Sequence, residues 1–186
     1  MLNIMNQKYT EYDIHGKGVP RLDHVEELED YMKSLANKDS YDKLKRTVRV
    51  GKPNSMAYKG TNSTHATMSE KDKIRLIPML KKCFPSLMFR ITGNFIYGPG
   101  DAIGEHTNAD DPSDTLYIVY ATGKSTFSYR FSLDDDFIDT HDAVDAITLR
   151  AFEITSREPY TFHKAECESG YRVSIGLRYV DSKIEK

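Results

Sequence analysis

Tryptophan is absent from this 186-residue sequence, cysteine occurs only twice, and no apolar run approaches the roughly 20 residues that a membrane-spanning helix requires. Without tryptophan, 12 tyrosines and 8 phenylalanines supply the large rings of the core. Cys83 and Cys167 are too few for a disulfide scaffold and have no C-x-x-C spacing, which points to a reducing compartment. The opening MLNIMNQKYTEYD lacks the basic start and apolar centre of a signal peptide. The chain therefore reads as soluble and cytoplasmic (host-cytoplasmic for a viral protein). Charge of one sign is also missing: 26 Lys and Arg against 28 Asp and Glu leave a net charge of −2. That excludes a protein that coats nucleic acid by charge alone but leaves a local basic patch open. Gly98 and Gly100 sit in neither a P-loop nor a βαβ unit, so a nucleotide-phosphate cradle is not indicated. The acidic run Asp134–Asp136 lacks calcium-loop spacing.

What is present is a chain 39% hydrophobic and 29% charged, suited to a single domain. Residues 1–20 are polar and read as an arm. Asp23 and Glu26 have capping-box spacing, and Val25, Leu28, Tyr31, Met32 and Leu35 recur at helical intervals, predicting a helix that ends near Asn37. Residues 43–52 gather Lys43, Lys45, Arg46, Arg49 and Lys52 around one short strand pattern, either a solvated edge or a phosphate-contacting lip. Residues 53–68 are rich in turn formers and read as a long loop. Ser69 opens a second helix with Ile74, Leu76, Ile77 and Leu80 as its apolar side, and Pro78 is expected to kink or divide it.

From Leu87 the pattern changes. Strand-like runs fall at 87–97, 101–106, 115–121, 124–132, 147–154, 159–164 and 171–180, separated by Gly, Pro and Asp clusters. Many short strands without alternating helices predict a mainly β (α+β) sandwich or open barrel with the two helices packed outside. Residues 134–145, with seven acidic or histidine residues, read as a surface excursion. In the last run, Tyr171, Val173, Ile175, Leu177 and Tyr179 alternate with Arg172, Ser174, Gly176 and Arg178. Period two puts these sets on opposite faces. Alternation alone favours arginines in solvent. The other reading places two cations in a concave pocket, where they would demand an anionic ligand or acidic partners.

One constellation has the content of a metal site. His106 is followed 57 positions later by His163, nine further on by Arg172, and six after that by Arg178. A non-haem Fe(II) oxygenase uses two neutral imidazoles and a carboxylate on one face of the metal. A dicarboxylate cosubstrate then needs an Arg and a hydroxyl, which Arg172 and Ser174 can supply.

Here the sequence resembles the Fe(II)- and 2-oxoglutarate-dependent dioxygenases, nearest to the AlkB-type dealkylases. The run Tyr97-Gly-Pro-Gly-Asp-Ala-Ile-Gly-Glu-His106 is similar to that family's Y-x-P-G-x-x-I-x-x-H, and Arg172, Ser174 and Arg178 match its R-x-[NS]-x-x-x-R. The resemblance spans roughly residues 88–180, about half of the chain. It implies a double-stranded β-helix (jelly roll, cupin-like) core over 87–180, with arm, helices and a substrate lid over 1–86. It also implies Fe(II) held by His106, Asn108 and His163. Tyr97, Arg172, Ser174 and Arg178 would hold 2-oxoglutarate, and His106, His163 and Arg172 would be catalytic. Molecular oxygen is the second cosubstrate, and a nucleobase in nucleic acid or a nucleotide is the implied substrate, with Tyr58 as a ring on which a base could stack. No membrane partner is implied.

One departure matters. The family's H-x-D stands here as His106-Thr107-Asn108. Asn108 could bind iron through its amide oxygen, Asp110 could reach in through a bulge, or the site could have lost iron chemistry. The alternatives are a hydroxylase of a protein side chain or small molecule, and a non-catalytic β-helix binding module.

Overall fold

The computed structural model describes residues 9–44, 46–49 and 63–181. In chain order they form β1 (Tyr9–Asp13), α1 (Glu26–Leu35), α2 (Lys38–Asp42), β2 (Arg46–Arg49), β3 (Ser63–Thr67), α3 (Glu70–Cys83), β4 (Leu87–Tyr97) and β5 (Ala102–His106). There follow β6 (Ser113–Ala121), β7 (Ser125–Arg130), β8 (Ile138–His141), β9 (Ile147–Ile154), β10 (Phe162–Cys167) and β11 (Arg172–Asp181). The strands hydrogen-bond in the order β1-β9-β6-β11-β4-β3-β5-β10-β7-β8, with β2 added to β3. Two four-stranded sets stand out, β9-β6-β11-β4 and β5-β10-β7-β8. The chain passes back and forth between them, which is the winding of a double-stranded β-helix. All pairings of these strands are antiparallel except β1 on β9.

The core lies between the helices and the first set. Leu28 and Met32 of α1 and Leu76 and Leu80 of α3 are fully buried in one cluster with Val173, Ile175 and Leu177 of β11. Each such side chain contributes roughly 1.5–3 kcal/mol by leaving water. Once the aliphatic face of β11 is covered by helices, its other face must point into the β-helix. Arg172, Ser174 and Arg178 are accordingly buried. The solvent-facing arrangement favoured by alternation is thus reversed, because alternation separates the faces without saying which one the helices will cover.

Several local expectations also change. Asp23 does not cap α1: its carboxylate accepts from Arg21 Nε at 2.9 Å and its N–H donates to Cys83 O, so the N-cap is Val25. Ser69 does cap α3, accepting from the Asp72 N–H. Pro78 leaves α3 undivided; the carbonyl it deprives of a donor belongs to Ile74, which is 65% exposed and can be hydrated. Ile74 and Ile77 face outward instead of joining Leu76 and Leu80. The 53–68 loop gives way to β3 over Ser63–Thr67, which joins the edges of β4 and β5. The polar arm supplies β1, and the 134–145 excursion contains β8. Lys45, Lys52 and Tyr58 lie outside the described residues, as do the Arg46 and Arg49 side chains. No helix among the described residues is long and apolar enough to cross a membrane.

Candidate functional site

The 57 positions that separate His106 from His163 in sequence vanish in the sheet. β5 and β10 run antiparallel with His106 opposite His163, bringing the ring centroids to 4.2 Å. Each Nδ1 lies against the carbonyl two residues before it, His106 on Gly104 O at 2.8 Å and His163 on Thr161 O at 3.0 Å. A carbonyl only accepts, so each Nδ1 carries the proton and each neutral ring keeps its lone pair on Nε2. His163 sits among Tyr117, Phe127 and Phe152, with Phe127 stacked on it. Burial pushes the His106 pKa down, and Arg178 adds to it. Burial pushes His163 further, helped by His106. Asn108, at φ +56° just beyond β5, brings Nδ2 to 3.4 Å from His163 Nε2, and Tyr117 Oη lies at the same distance. Asparagine is among the few side chains that accept this left-handed conformation. The amide and the phenol both point donors at Nε2, as the tautomer requires.

β11 builds the opposite wall. Arg172 is 1% exposed; its Nε donates to Asp142 Oδ2 at 2.8 Å and its guanidinium lies 5.1 Å from the Tyr97 ring centre. Asp142 also accepts from Ser125 Oγ at 2.5 Å and from Arg150 Nη1. Arg150, fully buried, donates its Nε to Thr140 Oγ1 at 2.7 Å and packs against the Tyr12 ring. Against burial, which would raise it, Arg172 and Arg150 hold the Asp142 carboxyl down at about 2. Two guanidiniums and one carboxylate leave this sealed cluster with one net positive charge, and Arg172 Nη2 has no hydrogen-bond partner. Arg178 Nη1 donates to Thr115 Oγ1 at 3.0 Å, while its Nε, 3.5 Å from Asp111 Oδ2, makes no hydrogen bond. Tyr97 is buried and its phenol is pushed up by burial, so it stays protonated.

Both walls face one cavity of about 690 Å³. The residues that the resemblance assigns to metal and cosubstrate all line it: Tyr97, His106, Asn108, His163, Arg172, Ser174 and Arg178. Asp110 lines it too, but the amide of Asn108 is the group beside His163. Two residues escaped the sequence reading. Asp142 lies in the 134–145 run that reads as a surface excursion; the signal for it is Arg150, a lone charge in the apolar first half of the strand Ile147–Ile154, which needs a buried partner. His65, on β3, lines the cavity with its ring 4.4 Å from Phe95, and the turn-like composition around it concealed a strand. Among the described residues no three His, Cys, Asp or Glu side chains cluster to hold a metal. Two imidazoles and a neutral amide are what the site offers.

The two histidines make stability depend on pH. With the folded pKa values below the ordinary 6.5, the unfolded chain binds more protons as pH falls below that value. Metal-free protein should hold its stability above pH 6.5 and lose it below, with a slope of up to about 1.4 kcal/mol per pH unit for each ring. Urea unfolding at about pH 7.5 and about pH 5.5 measures this, and equal midpoints would contradict it. Asp142 adds a second loss only in strong acid, as pH falls from its ordinary 3.8 toward about 2.

No family model matches this chain, and no curated protein does. Among solved structures it is similar to oxalate oxidase in complex with the substrate analogue glycolate, at 9% identity and TM-score 0.35, over 54% of this chain and 44% of that one. The chain thus spans under half the length of that oxidase. It is also similar to CapF, a capsular polysaccharide assembling protein from Staphylococcus aureus, at 14% identity and TM-score 0.31, over 76% of this chain and 30% of that one. A point mutant of a family 29 carbohydrate-binding module matches at 11% identity and TM-score 0.37, over 74% of this chain and 93% of that one. Likenesses this distant carry no conclusion about activity, and the fold class rests on the strand order described above.

Proposed function

We propose that this chain is an Fe(II)- and 2-oxoglutarate-dependent oxygenase. The observation that carries the reading is the pairing of two walls in one cavity. One presents two neutral Nε2 lone pairs with the Asn108 amide beside them, and the other presents buried guanidinium N–H groups without hydrogen-bond partners. The donor set fits a divalent metal, because both imidazoles are fixed in the ligating tautomer by backbone carbonyls. Arg172 Nη2, which has no hydrogen-bond partner, and Arg178, whose Nε is ion-paired with Asp111 but makes no hydrogen bond, flank Ser174 on the strand and fit a short dicarboxylate.

In this reading His106, His163 and Asn108 hold the metal, Asn108 through its amide oxygen once the amide turns from the orientation that now aims Nδ2 at His163 Nε2. Arg172 and Ser174 take the distal carboxylate, Arg178 the proximal end, and Tyr97 walls the site while orienting Arg172. The aromatic box around His163 excludes water and keeps the ring from turning. When bound, iron and 2-oxoglutarate supply the oxidation: with O2, 2-oxoglutarate becomes succinate and CO2, and one oxygen atom enters a substrate C–H bond. The AlkB-type likeness of the Tyr97–His106 run directs the substrate toward a nucleobase. Oligonucleotide binding that weakens steeply with salt would separate that from a protein side chain or a small molecule. The neutral Asn108 favours a second reading, a binding module without turnover.

The test is succinate formation from 2-oxoglutarate after anaerobic loading with Fe(II), in the wild type and in His106→Ala. Succinate from the wild type alone is expected. No succinate, together with no Mn(II) or 2-oxoglutarate binding by calorimetry, would leave only the binding module.

A further inference from the structure

We infer that His15, on the N-terminal arm, is a positioning residue for His163 and acts on it through Thr161. This rests on the oxygenase reading, in which His163 holds the metal, and adds to it a residue from the far end of the chain.

The two imidazoles of the cavity are oriented by different means. His106 Nδ1 donates to Gly104 O, which lies inside β5. His163 Nδ1 donates to Thr161 O, and Thr161 precedes β10, whose first paired residue is Phe162. Among the described residues Thr161 has no ladder partner. Its side chain anchors it instead. Thr161 is buried, and its Oγ1 donates to Glu153 O of β9 at 2.9 Å. That spends the one hydroxyl proton and leaves lone pairs for a donor. His15 is that donor, with Nε2 3.4 Å from Thr161 Oγ1. Its Nδ1 accepts the Glu153 N–H at 3.1 Å. A nitrogen that accepts carries no proton, so the neutral ring holds its proton on Nε2, aimed at the hydroxyl. Burial lowers the His15 pKa, which favours that neutral ring. Every donor in the chain then meets an acceptor, from His15 through Thr161 to Glu153 O, with the Thr161 carbonyl left to take the His163 proton.

The arm is built to hold His15 there. β1 pairs with β9 up to Asp13, and the Ile14 N–H continues the pairing onto Ala151 O. Gly16, at φ +67°, then turns the chain, and the Asp13 carboxylate closes the turn by accepting from the Lys17 and Gly18 N–H groups. Lys17 Nζ reaches Glu153 Oε2 at 2.6 Å, and the His15 ring meets Phe131 edge-on. The rings around His163 fix its plane, whereas the Thr161 carbonyl fixes its tautomer, because only an Nδ1–H finds an acceptor there. With that carbonyl poorly aimed, the proton can move to Nε2 and occupy the lone pair a metal needs.

The experiment compares full-length wild type, His15→Phe, Thr161→Val and Thr161→Ser. Phe keeps the contact with Phe131 and donates nothing; Val keeps the shape of Thr and loses the hydroxyl; Ser keeps the hydroxyl. NMR of metal-free protein, with both histidine ring nitrogens isotope-labelled, reads the tautomer of His163. His106, oriented from within its own strand, is the internal control. Calorimetry with Mn(II), in the presence of 2-oxoglutarate, reads the metal site. We expect His163 to be wholly Nδ1–H in the wild type and mixed in His15→Phe and Thr161→Val, with His106 unchanged in all. The Mn(II) Kd should rise about threefold or more in His15→Phe and about tenfold or more in Thr161→Val, and stay near wild type in Thr161→Ser. An effect of Thr161→Val without one of His15→Phe overturns the role of His15. So does a change in both cavity histidines together, which is general damage to the sheet. An unchanged tautomer and Kd in both variants overturns the whole inference and leaves the oxygenase reading standing. A wild type that binds no Mn(II) overturns both.

Discussion

Replacing Asp142 with Asn should destabilise the protein by roughly 3–5 kcal/mol. For a chain of this size that lowers Tm by roughly 6–20 °C. Asn has almost the same shape and can still accept one hydrogen bond, so little of the effect can come from packing. What it removes is the negative charge of a cluster whose members are 0–1% exposed, leaving Arg150 and Arg172 facing each other without a counter-charge. Breaking a buried pair by deleting one partner costs far more than the pair contributes relative to an apolar replacement, because the remaining ion stays desolvated. Two follow-up measurements separate this from ordinary core damage. Adding Arg150→Met to Asp142→Asn removes one of the stranded cations and should recover part of the lost Tm, a non-additivity readable in a double-mutant cycle. Saturating 2-oxoglutarate should raise Tm in the single variant, since it returns a carboxylate to Arg172. A Tm within about 2 °C of wild type would show that the cluster does not carry the charge assigned to it.

The parts of the molecule legible in sequence are those encoded locally. Alternation in Tyr171–Tyr179 marked a strand with two chemically distinct faces, and the spacing of Leu28, Met32, Leu76 and Leu80 marked helices with a buried side. What stayed hidden depends on contacts between distant segments. The inward turn of Arg172 and Arg178 is decided by α1 and α3, which cover the other face from far upstream in the sequence. β3 has no apolar stripe because one face lines a polar cavity, so its Ser, Thr and His content resembles a loop. Asp142 looks like its solvated neighbours Asp139 and Asp145 until Arg150, eight residues on, and Arg172, thirty residues on, converge on it. The histidine pair was legible only as content: the register of β5 on β10 is what makes it a site. The Asn108 departure was visible at once, but its consequence depends on the charge of the whole cavity, which no single segment contains.

Arg172→Met should act on the same cluster with a different outcome for stability. Methionine fills most of the aliphatic volume and removes one cation, leaving Asp142 paired with Arg150 and the cluster neutral. Buried ions replaced by apolar groups of similar size are often neutral or stabilising, so Tm should stay near wild type or rise, even after the loss of the Tyr97 cation–π contact. Ligand binding should suffer instead. Removing a desolvated, charge-assisted anchor costs about 2 kcal/mol or more, which raises the 2-oxoglutarate Kd by roughly 30-fold or more. Arg172→Lys tests geometry separately from charge. A single ammonium cannot both reach Asp142 Oδ2 and present the second N–H that Arg172 Nη2 now offers the cavity, so Lys should recover only part of the affinity. A 2-oxo monocarboxylate such as pyruvate has no distal carboxylate to lose, and its weak binding should be nearly unchanged in Arg172→Met. Selectivity for the dicarboxylate would then shrink by the same factor as its affinity. If 2-oxoglutarate and pyruvate weakened equally, Arg172 would be holding the shape of the cavity and not the ligand. If Tm fell as it does in Asp142→Asn, the uncompensated positive charge would be the wrong account of why this buried arginine waits for an anion.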